Sequence, residues 1–188
     1  MSRRAALLFL ALAALALATA GGCGGDAARY AREARSGYIG VRAVMVGLQE
    51  FPARVGLLLR SGYPDTVRAR IESEMEDARG LVPSVRSAIA SCRESCELLR
   101  DTGSEEYLPY AESLLQLLAL NEQVVEAYNR FIAFTDSLLQ SVPYARPAGE
   151  LMPSLERLDG VAAEIDGLLE RIRGLEEEAE ATYRAIKD

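Results

Sequence analysis

VRARIESEMEDARGLVPSVRSAIASCRESCELL, residues 67–99, decides the fold. Apolar or small residues stand at Val67, Ile71, Met75, Ala78, Val82, Val85, Ile89, Cys92, Cys96 and Leu99, in steps of four and three. A strand would alternate every second residue, whereas this spacing is the a/d seam of a long helix that packs against other helices. Asp65 and Thr66, after Pro64, suit the helix start, and Asp101-Thr102-Gly103 suits its end.

The same period continues on both sides. From Ser104, placed as an N-cap with Glu105 and Glu106 in the first turn, a third helix reaches about Val142. Its seam is Tyr107, Ala111, Leu114, Leu118, Asn121, Val125, Tyr128, Ile132, Thr135, Leu139 and Val142, widened by Leu115, Leu117, Val124, Phe131 and Leu138. So broad an apolar face suits the interior of a bundle better than a two-stranded coil. A fourth helix, about 150–187, puts Leu155, Leu158, Ala162, Ile165, Leu169, Ile172, Ala179, Tyr183 and Ile186 on one stripe, which Glu176 interrupts with Leu175 beside it.

The first helix, about 27–60, carries Tyr30, Ala34, Val41, Val44, Leu48, Phe51, Val55 and Leu58 at the same period. Gly37, Gly40, Gly47 and Gly56 lie among them, each costing about 1 kcal/mol relative to Ala in a helix. A strand over 38–47 is locally conceivable, but nothing else in the chain offers it a partner; a helix with close backbone packing at the glycines is the expectation. Kinks are expected at or just before Pro52 and Pro83. The sequence therefore predicts an all-α, elongated, antiparallel up-down-up-down four-helix bundle with coiled-coil-like packing over 27–188, with helices at about 27–60, 64–101, 104–142 and 150–187. At 1.5 Å per residue it would be about 55 Å long.

The N-terminus has a different character. Arg3 and Arg4 precede an unbroken apolar run from Ala5 to Ala20, about the length of a secretory leader and short for a transmembrane helix. The run closes on Ala20-Gly21-Gly22-Cys23, which resembles the lipobox of bacterial lipoproteins. It departs from the common pattern in having Ala20, rather than Leu or another branched aliphatic residue, three positions before the cysteine. The resemblance implies that residues 1–22 are a cleaved signal peptide, that Cys23 receives a diacylglycerol and an acylated amino group, and that 23–26 form a short linker. Two or three acyl chains, at about 0.8 kcal/mol per buried CH₂, give stable anchoring. Gly24, rather than Asp, after the cysteine implies, by similarity to the sorting rule of Gram-negative lipoproteins, the periplasmic face of the outer membrane. The competing readings are an ordinary signal peptide cut after Ala20 or Gly22, and an uncleaved anchor helix.

In that orientation Cys23, the turn at 101–103 and the C-terminus share the membrane-proximal end, and the loop Pro143-Tyr144-Ala145-Arg146-Pro147 lies at the distal tip with Tyr144 and Arg146 as candidate partner contacts. Tyr30, Tyr107, Tyr110 and Tyr183 should gather proximally, for membrane contact or for end packing.

Composition narrows the chemistry. The 188 residues include no His and no Trp, so imidazole bases, Ser-His or Cys-His nucleophile pairs and His-ligated metals are excluded. The formal charge is −7; loss of Arg3 and Arg4 with the leader leaves 19 basic against 28 acidic residues. That balance, with no long Arg run, argues against nucleic acid as a partner. Cys92 and Cys96 fall on the apolar seam, and residues four apart on a helix hold their Cβ atoms wider than a disulfide wants. Buried free thiols are favoured over a local disulfide, and metal binding is remote. Arg79, Arg86, Arg93 and Arg100 recur every seven residues beside the seam, and Glu122, Asp136, Asp159, Asp166 and Glu180 are available to pair with them. Arg29, Arg32 and Arg35 could touch anionic headgroups or form a solvated face. Asn121 is placed as a register-setting polar residue.

The expected function is thus a membrane-anchored, non-enzymatic envelope lipoprotein serving as a helical interaction or scaffold module, with no cofactor beyond the lipid on Cys23, a protein partner, and an oligomeric state left open. The alternative is a sensor-like or carrier bundle that holds a small molecule in the periplasm, with Asn121, Thr135 and Tyr128 converging on a pocket, or with a cavity where the glycine-rich first helix meets the kinked second.

Overall fold

The computed structural model describes the backbone of residues 3–61, 65–141 and 148–187 and the side chains of 25–61, 67–140 and 152–186. Tyr144 and Arg146 lie outside the described residues, as does the side chain of Cys23. Five helices follow in chain order: α1 (Arg3–Gln49), α2 (Phe51–Arg60), α3 (Asp65–Asp101), α4 (Leu108–Ser141) and α5 (Ala148–Lys187). There is no strand among the described residues. With α1 and α2 as one interrupted rod, they form an all-α four-helix bundle.

The interruption has a covalent cause. Pro52 stands in the first turn of α2 and has no N–H for the carbonyl of Leu48, so the helix is broken at Glu50 and restarts with Arg54 donating to the Glu50 carbonyl at 3.0 Å. Pro83, by contrast, lies within α3, which is one continuous helix. The C-terminus of α3 closes as its sequence suggests: Thr102 and Gly103 donate back to Leu99 and Arg100, and Gly103 takes the left-handed φ of +66° that a side chain would resist.

The start of α4 differs from the expected Ser104 cap. Residues 105–107 are turns and the regular helix begins at Leu108, although the Ser104 carbonyl already accepts from Tyr107 and Leu108 at 3.1 and 3.0 Å. Pro109 explains the delay, because it can give no hydrogen bond to the Glu105 carbonyl.

The seams pack inward. Along α3 every seam residue from Ile71 to Leu99 is buried, as are Ala111 to Leu139 along the seam of α4. In α1 the buried stripe is Ala27, Ala31, Ala34, Tyr38, Val41, Met45 and Leu48, so Tyr38 and Met45 join the core where the sequence reading passed over them. Phe51 stands edge-on to Phe131, centroids 5.5 Å apart, and near Tyr128 at 6.5 Å. These rings fill the interior where the helix is broken.

Neighbours run antiparallel. Arg79 pairs with Asp136, Arg86 with Glu126 at 2.6 Å and Arg93 with Glu122 at 2.8 Å, so three of the four heptad arginines staple α3 to α4. Arg100 instead meets Asp101 on its own helix. Arg130 holds Glu164 at 2.6 and 2.7 Å across α4 and α5. Such pairs on half-exposed faces are worth less than about 1 kcal/mol each, and they set register more than stability.

Candidate functional site

Two faces of α1 meet antiparallel helices, and they differ. Towards α3 the contact is close: a Cβ built on Gly37 would stand 3.3 Å from Cα, Cβ and Sγ of Cys92, and one on Gly47 would stand 2.9 Å from Cδ1 of Leu81. The glycines thus let the backbone approach, as expected for these two positions, while Gly40 has nothing near it. The suggested cavity between the first and second helices is absent at these contacts, because Cys92 and Leu81 occupy the space that the missing side chains release.

Cys92 and Cys96 are buried free thiols. Cys92 Sγ donates to the Ala34 carbonyl at 3.5 Å. The hydrogen bond with Cys92, together with burial, holds the Cys96 thiol above its ordinary range. A buried, protonated thiol is a poor nucleophile. Among the described residues no cluster of three His, Cys, Asp or Glu side chains could hold a metal ion.

Towards α5 the helices stand apart and polar groups bridge the gap. Arg35 donates to both oxygens of Glu180 at 2.9 and 3.2 Å, and its guanidinium lies 5.1 Å from the Tyr183 ring. That hydrogen bonding holds the Glu180 carboxyl below the usual range. One turn on, the Tyr38 hydroxyl donates to Glu176 at 2.8 Å, with Arg42 at 3.2 Å on the same oxygen. Asn121, 3% exposed on α4, donates to the Leu117 carbonyl at 2.8 Å and reaches the Tyr38 oxygen at 3.5 Å. Burial first, and then the Glu176 carboxylate, push the Tyr38 phenol up. The residue that broke the apolar stripe of α5 is therefore one of the two, with Glu180, that clip it to α1.

Three hollows lie beside this clip; one, about 450 Å³, lies between Arg42, Arg173, Glu177 and Arg184, and the other two reach core side chains. The smaller, about 210 Å³, lies between Arg35, Ile39, Tyr110 and Glu180. The larger, about 510 Å³, is lined by Arg42, Met45, Val46 and Gln49 of α1, by Asn121 of α4, and by Asp166, Leu169, Ile172, Arg173 and Glu176 of α5.

Of the three polar residues expected to converge on a pocket, only Asn121 lines the larger cleft. Thr135 is sealed in the core and donates to the Phe131 carbonyl of its own helix at 2.9 Å. Tyr128 is fully buried, and its hydroxyl has no hydrogen-bond partner among the described residues. At the end of the bundle Tyr110 and Tyr183 pack with centroids 4.9 Å apart, while Tyr30 is covered by the Arg29 guanidinium at 4.6 Å. Arg29 also faces Asp26 and Glu33 at 3.5 and 3.8 Å.

Among the described residues no helix is long and apolar enough to cross a membrane. No protein-family model, no curated protein and no solved structure matches this chain.

Proposed function

We propose that the chain is an envelope lipoprotein, anchored through acylated Cys23, whose four-helix bundle is a non-enzymatic interaction or scaffold module. The observation that carries the anchor is the N-terminal pattern itself: Arg3-Arg4, a sixteen-residue run that is apolar but for Thr19, and small-small-Cys at Gly21-Gly22-Cys23. Support for the module comes from the bundle, whose seams bury aliphatic and aromatic side chains while Arg and Glu line its long outer faces. A rigid rod of this kind presents surfaces at a fixed distance from its anchor. The periplasmic face of the outer membrane is the proposed location in a Gram-negative cell, by similarity in the residue after the cysteine.

Metabolic labelling with radioactive palmitate tests the anchor. The wild-type chain should label and fractionate with membranes, and Cys23→Ser should lose both properties while Cys92→Ser and Cys96→Ser keep them. Equal labelling of Cys23→Ser and wild type would remove the lipoprotein reading. Photo-crosslinkers placed along the outer faces of α3 and α5 in the anchored protein test the module. A discrete protein adduct confined to one face is expected, and its absence from every face would overturn the interaction role.

A further inference from the structure

Cys92 and Cys96 are groups of distinctive chemistry that the scaffold role leaves unused. Both stand on the seam of α3, 1% and 0% exposed, four residues apart and so one above the other on the same face of the helix. Their thiols lie within hydrogen-bonding reach of each other, and Cys92 Sγ also meets the Ala34 carbonyl at 3.5 Å. Opposite Cys92, Gly37 leaves the sulfur uncovered by any side chain, since a Cβ there would stand 3.3 Å from Sγ.

The spacing decides what the pair can hold. Residues four apart on a helix keep their Cβ atoms about 5–6 Å apart, too wide for the about 3.5–4.5 Å of a disulfide. A metal ion between the sulfurs closes that difference. Two thiolate bonds of about 2.3 Å in line separate the sulfurs by about 4.6 Å, and a near-right angle at each sulfur then sets the Cβ atoms about 5–5.5 Å apart. The helix supplies that distance without distortion. No cavity is needed either, because the ion takes the place of two thiol protons. In-line coordination by two ligands is the geometry of monovalent d¹⁰ ions, Cu(I) and Ag(I), which soft thiolates select. Zinc wants four ligands, and among the described residues no cluster of even three His, Cys, Asp or Glu side chains is present.

Charge points to a third participant. A monovalent ion on two thiolates carries one net negative charge, which a buried seam tolerates only beside a cation. Arg93 follows Cys92 directly and stands three residues before Cys96, on which its charge acts. One end of its guanidinium holds Glu122 at 2.8 Å, yet its Nε is buried with no hydrogen-bond partner among the described residues. We propose that Cys92 and Cys96 form a two-coordinate site for a soft monovalent metal ion of the Cu(I) class, with Arg93 balancing the bound charge. Binding breaks two S–H bonds, forms two metal–sulfur bonds and releases two protons to solvent, with no electron transferred. The site requires neither the lipid on Cys23 nor a protein partner, so it stands independently of the proposed scaffold role.

The full chain carrying Cys23→Ser, in which only these two thiols remain, tests the site when titrated anaerobically in detergent micelles with Cu(I) supplied as its bathocuproine disulfonate complex. Uptake of one Cu(I) per chain is expected, with two sulfur neighbours and no nitrogen or oxygen in the copper X-ray absorption spectrum. Cys92→Ala and Cys96→Ala should each abolish that uptake. Circular dichroism should show both variants as helical as the parent, since Ala keeps a small apolar residue on the seam. Arg93→Gln should weaken uptake about tenfold, as loss of a residue that supports metal ligands does, and Arg93→Lys, which keeps the charge, should restore most of it. Excess Zn(II) should leave the copper in place. No uptake by the parent chain, uptake that survives both alanine substitutions together, nitrogen or oxygen neighbours at the copper, or displacement by Zn(II) would overturn the proposal. Equal affinity of Arg93→Gln and the parent would remove Arg93 from it.

Discussion

The α1–α3 and α1–α5 faces are built from one helix meeting two antiparallel neighbours, yet one is closed and the other is bridged. On the first, alanines at 27, 31 and 34 and the glycine at 37 let backbones approach until Cys92 meets Gly37 directly. On the second, Arg35, Tyr38 and Arg42 reach across to Glu176 and Glu180, and long polar side chains hold the helices apart. Small residues thus produce contact along a seam, and paired long residues produce a spacing with room beside it. A bundle can fix its shape with the first kind of face and keep space available with the second.

The sharpest way to break this contrast is Gly37→Leu. Four added carbons would press on Cys92 where even a Cβ has only 3.3 Å, and overpacking of this kind costs about 1–3 kcal/mol, with the upper end expected against backbone. Chemical unfolding followed by circular dichroism measures it; a loss below about 0.5 kcal/mol would mean that the seam is loose.

Tyr38→Phe probes the bridged face. It removes the hydroxyl from the Glu176 carboxylate and leaves Asn121 with one partner fewer, for an expected loss of about 1–2 kcal/mol in the same assay. An effect as large as that of Gly37→Leu would make the bridge as important to stability as the packed seam.

Gly40→Ala should act in the opposite direction. Nothing lies within 4 Å of its added methyl, so helix propensity alone operates and stability should rise by about 0.5–1 kcal/mol.

The smallest effect belongs to Arg35 and Glu180, whose side chains are 40% and 35% exposed. A double-mutant cycle with Arg35→Gln and Glu180→Gln should give less than about 1 kcal/mol at pH 7. The Glu180 carboxyl is depressed in the folded state, so this contribution is present above the unfolded value of about 4.3 and is lost as pH falls through the lower folded value. Coupling that grew on acidification would reverse the assignment.

How far the sequence reached varies from helix to helix. The heptads of α3 and α4 announced their buried faces almost residue by residue, because a seam shared by long helices leaves one repeating solution. Helix ends were less legible: Pro109 delays α4 past Ser104, and Pro52 splits the first rod, each through a missing N–H. The cleft was least legible. Glu176 was visible only as a gap in a stripe, and Tyr38 was passed over, although a polar tip on a seam position facing such a gap is the signal that could have joined them.

By itself the sequence determined the helices, their buried sides and the chemistry that a chain without histidine forgoes, since period and composition are properties of neighbouring residues along one chain. It also holds Arg3-Arg4, the apolar run and Cys23 on which the proposed anchor rests, a pattern whose reading needs no fold. Only the tertiary structure decided which faces of α1 close and which stay open. That outcome depends on residues more than a hundred positions apart, Tyr38 with Glu176 and Arg35 with Glu180, whose meeting is set by the register of packed helices rather than by any local preference.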